Sequence, residues 1–165
     1  MGKAVLISIK PKWCEKIASG RKTMELRKSF PKLKAPFKVY IYCTGGFVPP
    51  DTQAFTHGWR GFVIGEFVCD YILRDCHMAN ADLAEAPSCV RREDIFQYSN
   101  GKRVYGWHIS DLKIYPKPKE LDWFRKPMDC HPVIGTDKCH GCHECELKRA
   151  PQSWCYVEEN RGCTK

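Results

Sequence analysis

The sequence predicts an α+β chain, mainly β: a small β-barrel with a few short helices and a small metal-stabilised lobe near its C-terminal end. Three observations carry this expectation. Apolar runs of strand length recur along the first three quarters, helical patterns are few and short, and six of the eleven cysteines crowd into the last 37 residues. Several strands joined by turns favour a barrel or roll over an alternating α/β sheet. The cysteine-rich end is too thin in apolar residues to hold itself together without a metal. We therefore expect a barrel domain over 1–128 and a cysteine-rich, zinc-binding segment over 129–165, packed on the barrel.

Taken in order, Ala4 to Lys10 reads as a buried strand, and Pro11 opens a short helix through Ser19 that Gly20 closes in a left-handed cap. Thr23 to Lys28 alternates, so Thr23, Glu25 and Arg27 share one strand face while Met24 and Leu26 enter the core. A Pro- and Lys-rich loop, Phe30 to Ala35, precedes a strand over Phe37 to Cys43. The polar, turn-rich stretch Thr44 to Gly61 reads as a lid or a disordered loop. Phe62 to Arg74 reads as one long strand with a bulge or corner at Gly65, Val90 to Tyr98 as a helix, and Val104 to Tyr115 as a second long strand ended by Pro116 and Pro118.

Hydrophobic residues make up 43% and charged residues 28% of the chain, a globular balance that excludes fibrous and disordered classes. Residues 1–40 hold eleven Lys or Arg against only Glu15 and Glu25, so the whole net charge of +8 is concentrated in the first quarter. Clustered positive charge attracts polyanions through counterion release, and nucleic acid is the natural partner. No apolar run is long enough for a membrane helix or a signal peptide, so the expected compartment is the reducing cytoplasm, where thiols stay free or bind metal.

The segment Ser19-Gly20-Arg21-Lys22-Thr23-Met24-Glu25-Leu26-Arg27 contains Gly-x-Lys-x-x-Glu-x-Arg at Gly20, Lys22, Glu25 and Arg27. This resembles the signature of the ASCH family. Tyr105-Gly106-Trp107-His108-Ile109-Ser110-Asp111 and Pro151-Gln152-Ser153-Trp154-Cys155-Tyr156-Val157 also look like phage and bacterial ASCH proteins, so the resemblance spans nearly the whole chain. It implies a PUA-like barrel with a cleft lined by the motif, and a nucleic-acid (foremost RNA) or modified-nucleotide ligand. It also implies a rival activity, because the family includes hydrolases of acylated cytidine that use Lys, Thr and Glu, and others thought to cut RNA. Lys22 matches the lysine of that set. The threonine position, two residues before the motif arginine, holds Glu25, and Thr23 stands two residues too early, so the nucleophile is absent. Lys22 and Glu25 are then catalytic candidates only through a Glu25-activated water.

The residues themselves agree with a binding cleft. Glu25 beside Arg27 sets a carboxylate acceptor next to a planar donor fork, a pairing suited to base edges and phosphates, and Lys22 adds a mobile cation. Lys10, Lys12 and Trp13 on the first helical turn, and Trp59 with Arg60 in the later loop, add cations and stacking platforms. Tyr105 and Trp107 are aromatic candidates on a central strand, where burial competes with stacking. His108 is a candidate general acid or base, but the sequence does not show its partner.

Cys139, Cys142 and Cys145 recur at intervals of three, and Cys130 lies nine residues upstream of Cys139. Four thiolates suit a tetrahedral structural zinc. Cys155, His131, His140 or His143 can stand in for one of them. An iron–sulfur cluster is the rival, since three of these cysteines reproduce the start of a ferredoxin run, although the closing Cys-Pro is missing. Three classes follow: a nucleic-acid or nucleotide-binding module, an enzyme acting on RNA or modified nucleosides, and a protein-interaction adaptor using the zinc lobe.

Overall fold

Ala4–Ile9 forms strand β1, and all six of its residues are buried. A run apolar on both faces belongs in the middle of a sheet, and β1 does lie between a parallel β3 (Phe37–Cys43) and an antiparallel β9 (Trp154–Glu159). The computed structural model describes residues 3–45, 58–127 and 147–159. Helix α1 (Pro11–Ala18) begins on Pro11, whose missing N–H would be unpaired at a first turn in any case, and buries Pro11, Cys14 and Ile17. Gly20 follows it at φ +73°, the left-handed conformation expected of a residue just past a helix end.

The remaining elements are β2 (Met24–Arg27), β4 (Val63–Cys69), β5 (Ile72–Leu73), α2 (Ala81–Ser88), α3 (Arg92–Ser99), β6 (Tyr105–His108), β7 (Ser110–Lys119), a 3-10 turn at Leu121–Trp123 and β8 (Phe124–Arg125). The strands form two sheets, one of six in the order β7-β4-β3-β1-β9-β8 and one of three in the order β2-β6-β5. The expected barrel is thus a partly open one. One edge, β7, carries Pro116 and Pro118, which lack the N–H a further ladder needs, and the other, β8, is two residues long. The architecture is α+β with short helices, as the patterning implied.

Both long strands read from the sequence are in fact pairs. The 62–74 run breaks at Asp70 and Tyr71, so β4 stays in the large sheet while β5 joins the small one. The 104–115 run breaks at Ile109, and Asp111, the second residue of β7, departs from extended backbone with a left-handed φ of 46°. Its second half then continues past both prolines to Lys119. Prolines are tolerated there because β7 is an edge strand. Helix α2 was not expected, since Pro87 and a polar surface hide its weak periodicity.

One face of the large sheet buries Val5, Ile7, Val39, Ile41, Ile64 and Phe67 against Cys14, Ile17 and Trp107. The opposite face is covered by Phe124 and Leu147 around Tyr40. Met24 and Leu26 pack with Ala84, Ile95 and Val104, so the small sheet has its own apolar face against α2 and α3. Cys130, Cys139, Cys142 and Cys145 lie outside the described residues, as do His131, His140 and His143. Among the described residues no group of three or more His, Cys, Asp or Glu is placed to hold a metal, and Cys14, Cys43, Cys69, Cys76, Cys89 and Cys155 are free thiols. No described helix is long and apolar enough to cross a membrane.

Gly65 sits beside register shifts on both of its neighbours, at the bulge its sequence position suggested. A Cβ there would collide with the backbone carbonyl oxygen of Lys113 and lie 3.1 Å from the Ile114 Cα. The obstacle is backbone and cannot rotate away. Gly65→Ala is expected to destabilise the fold by roughly 1–3 kcal/mol, read as a lower urea midpoint at unchanged slope.

Candidate functional site

Strand β2 is four residues long and alternates fully: Met24 and Leu26 face the apolar cluster below α2 and α3, while Glu25 and Arg27 face the other way. Their cross-strand partners are Trp107 for Glu25 and Tyr105 for Arg27. Lys22 precedes the strand in a turn held by its own N–H to the Lys16 carbonyl at 2.9 Å. Helix α1 is tied to this turn, which sets Trp13 above Lys22 with Nζ 4.9 Å from the ring centre.

Lys22, Glu25, Leu26 and Arg27 line a pocket of about 470 Å³ with Lys10, Lys12, Trp13, Tyr98, Ser8, Thr44, Val90, Gln152 and Ser153. Lys22 and Glu25 are only 2% and 3% exposed, so the floor of the pocket is ionic and almost dry. Lys22 Nζ lies 3.3 Å from Glu25 Oε2 and donates to the Ser88 carbonyl at 2.8 Å. Arg27 donates to Glu25 Oε1 and to the Leu26 carbonyl through one amino group, and to the Ser8 carbonyl at 2.7 Å through the other. Glu25 thereby stands between two cations. Burial alone would push its carboxyl upward; the Arg27 and Lys22 charges, with their hydrogen bonds, overrule that and hold it below the ordinary carboxylate range.

One polar atom of this floor, the Arg27 Nε donor, has no hydrogen-bond partner among the described residues, and the acceptor Glu25 Oε2 meets only the Lys22 ammonium, at 3.3 Å. The fully buried Trp107 indole N–H, opposite Glu25 in register, is likewise unpartnered. Native interiors rarely leave such groups unpaired unless something else is to meet them. The rim is cationic and aromatic. Lys12 and Lys16 stand 4.5 and 5.3 Å from the centre of the Trp13 ring, and Tyr98, 42% exposed, carries Lys28 at 4.8 Å over its face.

The structure brings Lys10, Lys12, Trp13, Lys22, Glu25 and Arg27 together and leaves Trp59 and Arg60 out of the pocket lining. Trp59 packs half-buried against the main core. Arg60 lies by Cys43, whose thiol is held below its ordinary value first by a hydrogen bond with Cys14 and then, against burial, by the Arg60 charge. His108 does have a partner: its Nδ1 meets Asp70 Oδ1 at 2.6 Å, and its ring stacks on Tyr71 at 4.5 Å, away from this pocket. Tyr98, Gln152 and Ser153 were not singled out as site residues. Tyr98 closes a helix whose other exposed residues are solvent-facing, and only the fold sets it against Arg27.

No family model and no curated protein matches the chain. Among solved structures, ASCH from Zymomonas mobilis is similar, with a TM-score of 0.57 and 20% identity over 72% of this chain and 74% of that one. Two crystal structures of its point mutants give the same TM-score and identity, covering 72% of this chain and 76% and 75% of theirs. At that identity the likeness is one of fold.

A carboxylate held below its unfolded value stabilises the fold fully above that value and loses its contribution as pH falls through the folded one. The urea midpoint is therefore expected to fall as pH drops below about 4.3, the unperturbed glutamate value. Glu25→Gln is expected to flatten that fall and to cost roughly 3–5 kcal/mol at pH 7, because the buried Lys22 and the partly buried Arg27 lose their counter-charge.

Proposed function

We propose that the pocket binds a nucleotide unit of RNA, or a modified nucleotide, and that the chain is a binding module built on a PUA-like barrel. The observation that carries this reading is the unpartnered Arg27 Nε donor beside Glu25 Oε2, an acceptor met only by the Lys22 ammonium, in the floor of a pocket whose rim is cationic and aromatic. An adjacent acceptor and donor match the polar edge of a base, and a site that leaves them incompletely paired rejects ligands unable to complete them. Trp13 and Tyr98 offer faces for stacking, and Lys10 and Lys12 supply the charge for phosphate.

Binding is favoured over hydrolysis by the state of Glu25. A carboxylate held low by two cations is a weak base, and Lys22 Nζ is already committed to Glu25 and the Ser88 carbonyl. The fold likeness to an ASCH protein supports the barrel assignment and is neutral on chemistry.

We also propose that Cys130, Cys139, Cys142 and Cys145 hold one structural zinc within the 129–165 segment, on the strength of their spacing. Protein purified without added metal is expected to carry about one zinc per chain by mass spectrometry of the digested sample. Iron with a visible thiolate-to-iron absorption would replace zinc by a cluster, and neither metal would end the proposal.

Fluorescence anisotropy with labelled single-stranded RNA tests the pocket. Affinity is expected to fall with salt, Lys12→Ala to shallow the slope of log K against log salt by about one, and Trp13→Ala to weaken binding by roughly tenfold to a hundredfold. Unaltered affinity in both variants would move the binding surface elsewhere. Product formation abolished by Glu25→Gln at retained folding would replace the module by an enzyme.

A further inference from the structure

Several basic side chains of the described surface are matched with carboxylates: Arg21 with Glu15, Arg92 with Asp82, Arg103 with Asp75 and Arg125 with Glu158. Two cations beside the pocket are arranged differently. Lys28 and Arg74 have no carboxylate partner among the described residues and lie instead over aromatic rings, Lys28 Nζ 4.8 Å from the centre of Tyr98 and the Arg74 guanidinium 5.4 Å from that of Phe30.

The two pairs form a line that starts at the pocket. Tyr98 and Arg27 both line it. Lys28 follows Arg27 in the chain, and Phe30 packs edge-on against Tyr105 with centroids 4.7 Å apart. Tyr105 is the strand partner of Arg27 in β6, and Arg74, next to Leu73 of β5, closes the line on the far strand of the small sheet. Each pair joins an unneutralised cation to a ring face, which is what one nucleotide step needs: a charge for its phosphate and a platform for its base.

We propose that the pocket's ligand is a single-stranded chain and not a free nucleotide, and that the nucleotides flanking the inserted one are held on this strip, first at Tyr98 and Lys28 and then at Phe30, Tyr105 and Arg74. The proposal rests on the reading of the pocket given above and adds the polymer to it. A duplex is excluded by the same geometry, because stacking on these rings requires unpaired bases.

The test compares the four ribonucleoside 5′-monophosphates with a labelled single-stranded RNA octamer of mixed sequence, on the full-length protein and on an Arg74→Ala variant. The Arg74 side chain is exposed and outside the pocket lining, so the variant is expected to melt like the parent. The octamer is expected to bind the parent at least ~10-fold more tightly than any monophosphate, and the Arg74→Ala variant to lose about threefold or more of octamer affinity while its monophosphate affinity stays the same. Arg74→Lys is expected to keep octamer affinity. An octamer no tighter than a monophosphate, or one indifferent to Arg74→Ala, overturns the strip and leaves the pocket intact. Absence of binding by both probes overturns the pocket and the strip together.

Discussion

Three ionised side chains meeting at one point, Lys22 and Glu25 buried and Arg27 partly so, set the terms for everything around them. Charges withdrawn from water are tolerated only when each is met by opposite charge and by hydrogen bonds, and the cost of leaving one unmet is severalfold the gain from a surface pair. The chain meets that requirement by drawing on parts distant in sequence. Arg27 reaches the Ser8 carbonyl on β1 of the large sheet, Lys22 reaches the Ser88 carbonyl at the end of α2, and Glu25 sits between them on the small sheet. The network therefore fixes how the two sheets and the second helix meet. The pocket is the space left where they do.

The same arrangement explains why the pocket is suited to recognition. Its charges are locked in place, so a ligand meets a preset acceptor and donor without first having to order flexible side chains. What remains adaptable is the rim, where lysines on long stems lie over Trp13 and Tyr98. A rigid interior that selects and a mobile cationic border that attracts is a division of labour that the fold permits without dictating it.

How much of this was legible in the residues depends on the range of the interactions. Alternation in Met24–Arg27 told which side chains turn inward, and the Pro11 and Gly20 signals bounded the first helix, because both are set by neighbours along the chain. The convergence of Lys22, Glu25 and Arg27 was readable from their spacing and from the family resemblance. Their burial was not, since charge on a short strand reads as surface until the partners at Ser8 and Ser88 are known. The breaks at Asp70 and Ile109 were hidden for a related reason. Both runs keep strand-forming residues on either side of the break, and only the exchange of one sheet for another divides them. Tyr98 was missed because an aromatic on a polar helix looks idle in one dimension, and Trp59 was overvalued because a loop tryptophan beside an arginine looks exposed.

The prolines of β7 reach beyond that strand. A bare sheet border is an invitation to another copy of the same border, and chains that accept it stack into ribbons or insoluble aggregates. Pro116 and Pro118 remove amide hydrogens from the outer edge, and Lys113 and Lys117 stand exposed along it, so an approaching strand finds gaps in its ladder and a like charge facing it. The molecule can thus keep an open sheet, and the accessible hollow that comes with it, while discouraging self-polymerisation at the crowded concentrations of a cell.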